Sequence, residues 1–439
     1  MKSNRRLLLF LVSVFLVPSF FVNYTAGWNV ESRWALAAAI ARDGVTYIED
    51  YVTHSRDVTE IDGHLYSAKA PGLSLLCVPI LWSLDRLYPE YTFRAETAKR
   101  YVCRIVLIGF SLVGMGYLIW NISSAFSPLV AACTVVGSPL LPYSSVLYGH
   151  VAAAFLLFAA WRFLNSNRGN SLGAGFLCGM AVLVEYPAIF GVVVMAGFSL
   201  RRSPRDLTRF ILGGIPAGIV LMAYNYWSFG TVFATGYTSF SDPEFQAAVD
   251  TGFFGFGLPS IRTAISMLFG LYRGLFVTAP WLILWFTALP VICAHRSGHI
   301  VSAIIPVIFI IILSGFTMWW GGASCCMRHL LIVIPFMASL VVYLSRKWLI
   351  PLITLGMIST ICQMSFLLVE PETPEDYAIP LVDQAIPWLL GSRMRPLVLD
   401  NMGILSSIGS GVVLLMVVVV WYCAIADYRQ RRVVSGGAP

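Results

Sequence analysis

Long apolar stretches separated by short polar segments run along almost the whole chain. A helix needs ~20 mainly apolar residues to cross the hydrocarbon layer of a membrane. Twelve stretches reach or approach that length. The pattern therefore predicts an all-α integral membrane protein, a multi-span bundle of about twelve transmembrane helices. The predicted spans are 6–22, 101–120, 127–143, 149–164, 171–186, 188–200, 209–227, 275–294, 300–318, 329–344, 348–368 and 406–426.

Two of these spans carry additional local signals. The first begins with basic residues like a signal peptide, but no small-x-small cleavage site precedes Asn23, so we expect an uncleaved first span. The spans 171–186 and 188–200 meet at Glu185-Tyr186-Pro187. Since proline cannot continue a helix without losing a hydrogen bond, these two spans could be one broken helical hairpin.

A thirteenth apolar stretch, 71–87, decides the orientation of every later loop. If it lies at the interface rather than spanning, fifteen cations fall in short loops on one side, opposed there by Asp206 and Asp427. Such an excess marks the cytoplasmic side. Both termini are then cytoplasmic and the protein is a multi-pass plasma-membrane protein. The fifteen cations are Lys2, Arg5, Arg6, Arg162, Arg168, Arg201, Arg202, Arg205, Arg209, Arg296, Arg346, Lys347, Arg429, Arg431 and Arg432.

The same orientation places the long polar loops outside. We expect a transmembrane core at 1–344, with its first extracytoplasmic loop at 23–100, followed by C-terminal helices at 345–439 with an outer loop at 370–405 and a cytoplasmic tail. Transporters tend to hold polar groups at mid-membrane in repeated halves. The chain shows no internal repeat, so its polar groups favour chemistry at the outer face.

Composition agrees with the membrane assignment and gives no indication of a nucleic-acid partner. Hydrophobic residues make up 58% of the chain and charged residues 12%, whereas soluble domains carry about a quarter charged residues. The net charge of +7 then reflects loop placement and indicates no nucleic-acid partner. The cysteines show no metal-ligand spacing.

The first outer loop concentrates the groups that hold or move protons. A helix at 31–43, stopped by Asp43-Gly44, is expected first, and Pro71 opens the interfacial helix. Between them, Lys69 is placed at the depth of lipid headgroups, where a phosphate would lie. The plain alternative is a solvated loop with ordinary surface charge. The polar groups are Asp57, Glu60, Asp62, His54, His64, Arg56, Lys69 and Tyr66.

Other groups could reach the same surface. His150 begins a span, and Glu185 is an ionisable group inside an apolar run, which is costly unless it serves a function or a structural hydrogen bond. Arg273 could bind phosphate or anchor its span by snorkelling. Trp320 suits a sugar face or an interfacial belt, and Arg328 can grip a phosphate with two hydrogen bonds.

Several motifs resemble the membrane glycosyltransferases of the GT-C fold, in the bacterial group related to protein O-mannosyltransferases and the lipid A aminoarabinose transferase. The resemblance runs from the first span to about residue 340, and Lys69-Ala70-Pro71-Gly72 is its most specific part. The motifs are Asn29–Ala37, Asp62–Gly72, Tyr148-Gly149-His150, Val184-Glu185-Tyr186-Pro187, Tyr224-Asn225 with Phe229-Gly230, Tyr272-Arg273-Gly274-Leu275 and Trp319-Trp320-Gly321-Gly322 with Arg328.

The resemblance implies transfer of a sugar from a polyprenyl-phosphate-linked donor at the extracytoplasmic face. An acid of the first loop would act as general base. Relatives often carry acids where this chain has Val30 and Ala68. Asp57 is therefore the first candidate, followed by Glu31 and Asp62. The implied substrate-binding residues are Lys69, Arg33, His64, Tyr66, His150, Glu185, Arg273, Trp320 and Arg328.

Two other functions remain open. A lipid or solute transporter would use Glu185 and His150 as coupling groups, and an inactive relative would only bind lipid carriers. A divalent metal ion is possible, because the first loop has carboxylates, but no ligand spacing supports one. The expected partners are the lipid-linked donor and membrane lipids, and the sequence does not indicate the acceptor.

Overall fold

The structure is a computed structural model that describes residues 2–24, 26–166, 169–290, 292, 299–398 and 406–434. Arg168 and Arg296 of the predicted basic loops lie outside these residues. The described chain is mostly helical. Its helices are α1 (Lys2–Ser19), α2 (Trp28–Asp43), α3 (Gly72–Leu87), α4 (Phe93–Arg104), α5 (Phe110–Trp120), α6 (Ser127–Val136), α7 (Leu140–Tyr143), α8 (Gly149–Leu164), α9 (Ser171–Val184), α10 (Ile189–Arg202), α11 (Pro204–Phe229), α12 (Pro243–Asp250), α13 (Ile261–Phe269), α14 (Leu275–Thr278), α15 (Leu284–Ala288), α16 (His299–Leu313), α17 (Ile334–Val341), α18 (Leu349–Val369), α19 (Ile386–Leu390) and α20 (Ser406–Val434).

Within the described residues, four helical stretches are long and apolar enough to cross a membrane. They are Phe93–Trp120, which joins α4 and α5, and Pro204–Phe229, Arg346–Val369 and Gly409–Val434. Six shorter apolar helices of 10–17 residues accompany them. These helices identify a membrane protein, and the number of about twelve spans stays a prediction.

The described chain is helical as expected apart from a small β-hairpin, which lies in the loop that the sequence places outside. Strand β1 (Val58–Ile61) pairs antiparallel with β2 (His64–Ser67). The turn residues Asp62 and Gly63 have φ of 52° and 80°, the left-handed values that a two-residue hairpin turn requires. The strands are four residues each, too short for their alternation to stand out in the sequence.

Helix α2 matches the predicted helix at 31–43 but starts three residues earlier and is buried around most of its surface. It lies between α3 and the hairpin, so it is a core helix. Its end is as predicted: Gly44 has φ 67° and its N–H bonds to the carbonyl of Ala39, a left-handed cap that favours glycine.

The break predicted at Glu185 is confirmed. Helix α9 stops at Val184, a 3₁₀ turn covers Tyr186–Ala188, and α10 begins at Ile189. Helix α3 starts against this break, where a Cβ on Gly72 would lie 2.5 Å from the backbone of Leu183. Only glycine allows so close an approach, and it brings the first outer loop onto the broken helix.

The two ends of the bundle differ in chemistry. At one end, Arg6 donates to the carbonyl of Ala426 at 3.0 Å and Arg431 donates to that of Ser124 at 3.1 Å. Helix α8 runs from His150 at the opposite end to Leu164, whose carbonyl accepts from Arg202 at 2.6 Å. The hairpin and the break at Glu185 lie at the His150 end.

Candidate functional site

The base of the hairpin carries an acid and a cation in contact. Asp57 directly precedes β1 and Lys69 follows β2. Val58 pairs with Ser67, so the antiparallel ladder brings the flanking residues side by side. The Lys69 Nζ atom lies 2.7 Å from Asp57 Oδ1, and the two side chains are 11% and 9% exposed. The first candidate base and the predicted phosphate ligand are therefore direct neighbours.

A second ion pair lies at the same end of the bundle, and its cation is almost fully buried. Arg33 Nη2 is 2.6 Å from Glu185 Oε1, with side chains 1% and 10% exposed. Arg33 also donates to Asn29 Oδ1 at 2.9 Å and to the carbonyls of Ala70 at 3.1 Å and Val184 at 3.3 Å. His150 Nδ1 lies 3.2 Å from Glu185 Oε1. This group joins α2, the start of α3, α8 and the break before α10.

Arg328 opens a 3₁₀ turn at the same end of the bundle. Its Nη1 donates to the Tyr148 hydroxyl at 3.3 Å, and that hydroxyl donates to Glu372 Oε1 at 2.6 Å. The buried Nε of Arg328 has no hydrogen-bond partner among the described residues. The ring of the adjacent His329 lies 5.9 Å from that of His150, which itself contacts Glu185, so Arg328 lies beside the Arg33–Glu185 group.

A segment of turns after α11 covers the hairpin. The N–H of Glu60 donates to the carbonyl of Ser239 at 3.1 Å, and the N–H of Ser241 donates to that of Val58 at 3.1 Å. A Cβ on Gly236 would lie 2.6 Å from Ala68 Cα. The adjacent Tyr237 ring has its centroid 6.0 Å from Lys69 Nζ. The segment therefore forms an aromatic wall beside the Asp57–Lys69 pair.

Arg56 fastens this segment at its far end. Both oxygens of Asp242 accept from the Arg56 guanidinium, and Glu244 Oε2 accepts from Nη2 at 2.8 Å. These hydrogen bonds hold the pKa of Asp242 below its ordinary value. The guanidinium also lies 5.0 Å from the Trp28 ring centroid. Arg56 therefore serves as a fastener between two loops.

The other two candidate bases have different surroundings. Glu31 Oε1 accepts from Thr53 N at 2.7 Å and from His54 N at 2.9 Å, which anchors the loop before the hairpin. Asp62 is exposed at the hairpin turn. A strand rises ~3.3 Å per residue, so the turn lies about 13 Å from the hairpin base. Of the three acids, Asp57 is the one in contact with Lys69.

His64 and Tyr66 lie along β2. His64 Nδ1 is 2.7 Å from Glu49 Oε1, and its ring stacks on Tyr47 at 4.7 Å. Burial alone would raise the pKa of Glu49, but the hydrogen bonds from His64 and the backbone hold that pKa below its ordinary value. Burial and the charges of Glu49 and Asp62 raise the pKa of Tyr66. The structure thus gives His64 a partner within its own loop.

Arg273 and Trp320 hold the outer loops together. Arg273 is 1% exposed and donates to the carbonyls of Gly322 at 2.5 Å and Pro374 at 3.1 Å. Trp320 Nε1 donates to Glu375 Oε2 at 2.7 Å. Of the three cations expected to bind phosphate, Lys69 pairs with Asp57 and Arg328 bonds to the Tyr148 hydroxyl, whereas the Nη donors of Arg273 bind backbone carbonyls.

Sequence reasoning missed Glu372 and Tyr237. Glu372 Oε2 also accepts from Asn23 Nδ2 and Gly27 N at 3.3 Å each. It therefore ties the loop after α18 to the loop between α1 and α2. A usable signal was present, because Glu370 and Glu372 follow directly after a predicted span. Tyr237 carries no such signal, since a single tyrosine in a long loop resembles any other.

No metal centre is evident in the described ranges, where no three His, Cys, Asp or Glu side chains group in a way that could hold an ion. The site is thus built from ion pairs, hydroxyls and aromatic rings.

Comparison with known proteins finds a likeness in structure alone. No protein-family model matches the chain, and no curated protein sequence matches it. The crystal structure of ArnT from Cupriavidus metallidurans in the apo state aligns with a TM-score of 0.54 and 14% identity, over 98% of this chain and 76% of that chain. The ArnT structure bound to undecaprenyl phosphate aligns with a TM-score of 0.51 and 13% identity, over 96% of this chain and 75% of that chain. The chain therefore has the fold of ArnT, the lipid A aminoarabinose transferase, which is a GT-C fold.

Proposed function

We propose that this protein is a membrane glycosyltransferase that takes a sugar from a polyprenyl-phosphate-linked donor at the extracytoplasmic face of the plasma membrane. The observation that carries the proposal is the Asp57–Lys69 contact of 2.7 Å at the hairpin base, with Arg328 at the same end of the bundle, bonded to the Tyr148 hydroxyl. A carboxylate and two cations at one end of the bundle suit a reaction in which an acceptor loses a proton while a phosphate leaves.

In the proposed reaction, Asp57 is the general base, and Lys69 and Arg328 are the phosphate ligands. Asp57 accepts the proton of the acceptor's nucleophilic group, and the freed electron pair attacks the anomeric carbon of the donor. The bond from that carbon to the phosphate oxygen breaks, and polyprenyl phosphate leaves with the electron pair. Lys69 and Arg328 stabilise the charge that grows on the phosphate. A lysine ammonium has three N–H donors, so Lys69 can keep Asp57 in place and still bind a phosphate oxygen.

Three further observations support the donor class and the side of the membrane. The fold is that of ArnT, one of whose crystal structures is bound to undecaprenyl phosphate. The site lies at the end of the bundle opposite Arg6 and Arg431, and an excess of cations is typical of the cytoplasmic end. Lys69 also precedes α3, the helix that we place at the membrane interface.

The test measures loss of sugar from the carrier. Membranes containing the full chain are incubated with a panel of radiolabelled polyprenyl-phosphate sugars, and Asp57→Asn is compared with wild type. We expect wild type to consume one donor and Asp57→Asn to lose at least about a hundredfold in rate, within the range for removing a group that acts in the transition state. Asp62→Asn is the matched control, because asparagine also tolerates a positive φ.

The outcomes separate the alternatives. Equal consumption by wild type and Asp57→Asn keeps the enzyme class and moves the base to Glu31, to be tested by Glu31→Gln. Failure to consume any donor by a folded wild type contradicts the proposal. Substrate flux in proteoliposomes without a new covalent product would then assign a transporter.

A further inference from the structure

Two buried serines connect the backbones of the acid and the cation at the hairpin base. Ser32 on α2 is 0% exposed and Ser67 at the end of β2 is 1% exposed. Ser32 Oγ lies 2.7 Å from the carbonyl oxygen of Asp57 and 2.7 Å from Ser67 Oγ. The N–H of Lys69 lies 3.3 Å from Ser67 Oγ. These contacts form an unbroken chain from Lys69 to Asp57.

Elementary chemistry sets the direction of every bond in this chain. A carbonyl oxygen cannot donate, so the single hydroxyl proton of Ser32 goes to the carbonyl of Asp57. The Ser32 oxygen must then accept from the hydroxyl of Ser67. The Ser67 oxygen, in turn, accepts from the backbone N–H of Lys69. All donors therefore point one way, from Lys69 through Ser67 and Ser32 to Asp57.

The chain closes into a ring through the side chains. Lys69 Nζ and Asp57 Oδ1 are 2.7 Å apart, so the same two residues are joined once through backbone and hydroxyls and once through charge. The N–H of Ala68 also donates to the carbonyl of Asp57 at 3.2 Å. A two-stranded hairpin with four-residue strands is marginal by itself, and its open end would fray without such an anchor.

We propose that Ser32 and Ser67 are positioning residues that set the separation of Asp57 and Lys69 by pinning both to helix α2. The inference rests on the proposed function for its effect on transfer, and on geometry alone for its effect on the ion pair. Neither serine touches the reacting atoms. Their role is to hold the base and the phosphate ligand in register while donor and acceptor enter.

A matched control lies on the next helix. Ser74 on α3 is also 1% exposed, and its hydroxyl donates to a carbonyl of α2, that of Arg33, at 2.8 Å. Ser74→Ala therefore removes a buried hydroxyl of the same type from a neighbouring place but leaves the serine chain intact. A merely structural effect of losing a buried serine would appear equally in Ser74→Ala and Ser32→Ala.

The first measurement is transfer kinetics of the full chain in membranes. We expect Ser32→Ala and Ser67→Ala to lower kcat about tenfold to a hundredfold, since a small misplacement of reacting groups has effects of that size. The KM for the donor should change by less than about twofold, because the cations that bind the phosphate remain. Ser67→Thr keeps a hydroxyl in a residue that strands favour, so it should recover most of the lost kcat.

The second measurement needs no activity. Acylation of Lys69 by acetic anhydride is followed by mass spectrometry in the wild type and the variants. Lys69 should react about fivefold faster in Ser32→Ala, which corresponds to the loss of one net hydrogen bond from the ion-pair geometry. Ser74→Ala should match the wild type.

The labelling result and the kinetic result each test the positioning role on its own. Equal Lys69 labelling in Ser32→Ala and Ser74→Ala overturns the positioning role, whatever the kinetics show. Faster labelling in Ser32→Ala alone supports the role, even if no donor is consumed and the proposed function itself fails. A rise in KM with unchanged kcat would also overturn it, because the serines would then act on donor binding instead of alignment.

Discussion

The two ion pairs of the site have nearly the same length, but their cations differ in the number of other partners. Arg33 and Glu185 lie 2.6 Å apart, and Lys69 and Asp57 lie 2.7 Å apart. Other N–H donors of Arg33 bond to Asn29 and to the carbonyls of Ala70 and Val184. Lys69 has Asp57 as its carboxylate partner within the described residues, and an aromatic wall on one side.

This difference separates a structural pair from a reactive one. Four of the five N–H donors of Arg33 are engaged, so this guanidinium has little capacity for a new anion. The Lys69 ammonium has three N–H donors and Asp57 as its carboxylate partner, so it can also bind a phosphate oxygen. Removing one partner of a buried pair leaves an uncompensated charge. We therefore expect changes in the Arg33–Glu185 pair to lower the stability of the fold, and changes in the Asp57–Lys69 pair to lower the rate of transfer.

The largest effect should come from Lys69→Ala. It removes the charge that faces the leaving phosphate, and we expect transfer to fall at least about a hundredfold while the protein still inserts and folds. Donor consumption in membranes measures it. The control is Lys347→Ala, an exposed lysine at the opposite, basic end. Wild-type transfer by Lys69→Ala would remove Lys69 from the site.

The next largest effect should be the loss of stability in Arg33→Met. Glu185 is then buried without its cation, at a cost of about 3–5 kcal/mol. Thermal unfolding in detergent should show a clear drop in Tm, whereas transfer per folded molecule should stay far above that of Lys69→Ala. The double variant with Glu185→Gln should lose less than the sum of the two single changes. A stable Arg33→Met with no transfer would reverse the assignment of the two pairs.

A smaller effect should follow Tyr148→Phe. This change removes the hydroxyl that accepts from Arg328 and donates to Glu372. We expect the KM for the donor to rise about fivefold to tenfold with a smaller change in kcat, because one net hydrogen bond that orients a phosphate ligand is lost. Tyr143→Phe is the control, since its ring stacks on Tyr148 at 5.7 Å. Equal effects of Tyr148→Phe and Tyr143→Phe would indicate altered packing of the two rings instead of the loss of the hydrogen bond to Arg328.

The Arg56–Asp242 fastener should show a pH-dependent effect of at most ~1 kcal/mol, as is usual for exposed pairs. The pKa of Asp242 is lowered in the folded state. The pair therefore stabilises above the ordinary Asp pKa of ~3.9 and loses this contribution as pH falls through the lower folded value. The Tm difference between wild type and Asp242→Asn should be constant from about pH 5 to 8 and shrink below pH 4. A difference that grows on acidification would refute the sign.

The smallest effect should come from His64→Ala. His64 is half exposed and paired with Glu49, so transfer should stay within about twofold of wild type, as for surface changes away from a site. The same donor assay measures it. A loss as large as that of Lys69→Ala would show that β2 reaches the substrate.

Local signals in the sequence predicted a good part of this architecture. The apolar runs indicated a helical membrane protein, Asp43-Gly44 marked the end of α2, and Glu185-Tyr186-Pro187 marked the break between α9 and α10. The resemblance in the first 340 residues predicted the GT-C fold, which the likeness to ArnT confirms. The hairpin was missed, because strands of four residues leave too short an alternation to recognise.

The sequence by itself determined which residues could be charged, polar or apolar, and where helices begin and end, because those properties depend on neighbours within a few positions. It placed Asp57, Lys69 and Arg328 among the candidates on chemistry alone. Only the tertiary structure decided what each cation binds: Arg33 bonds to residues up to 152 positions away, and the Nη atoms of Arg273 bond to carbonyls 49 to 101 positions away. Hydrogen bonds of that range arise from packing, so no local pattern separates an arginine held by distant carbonyls from one that is not.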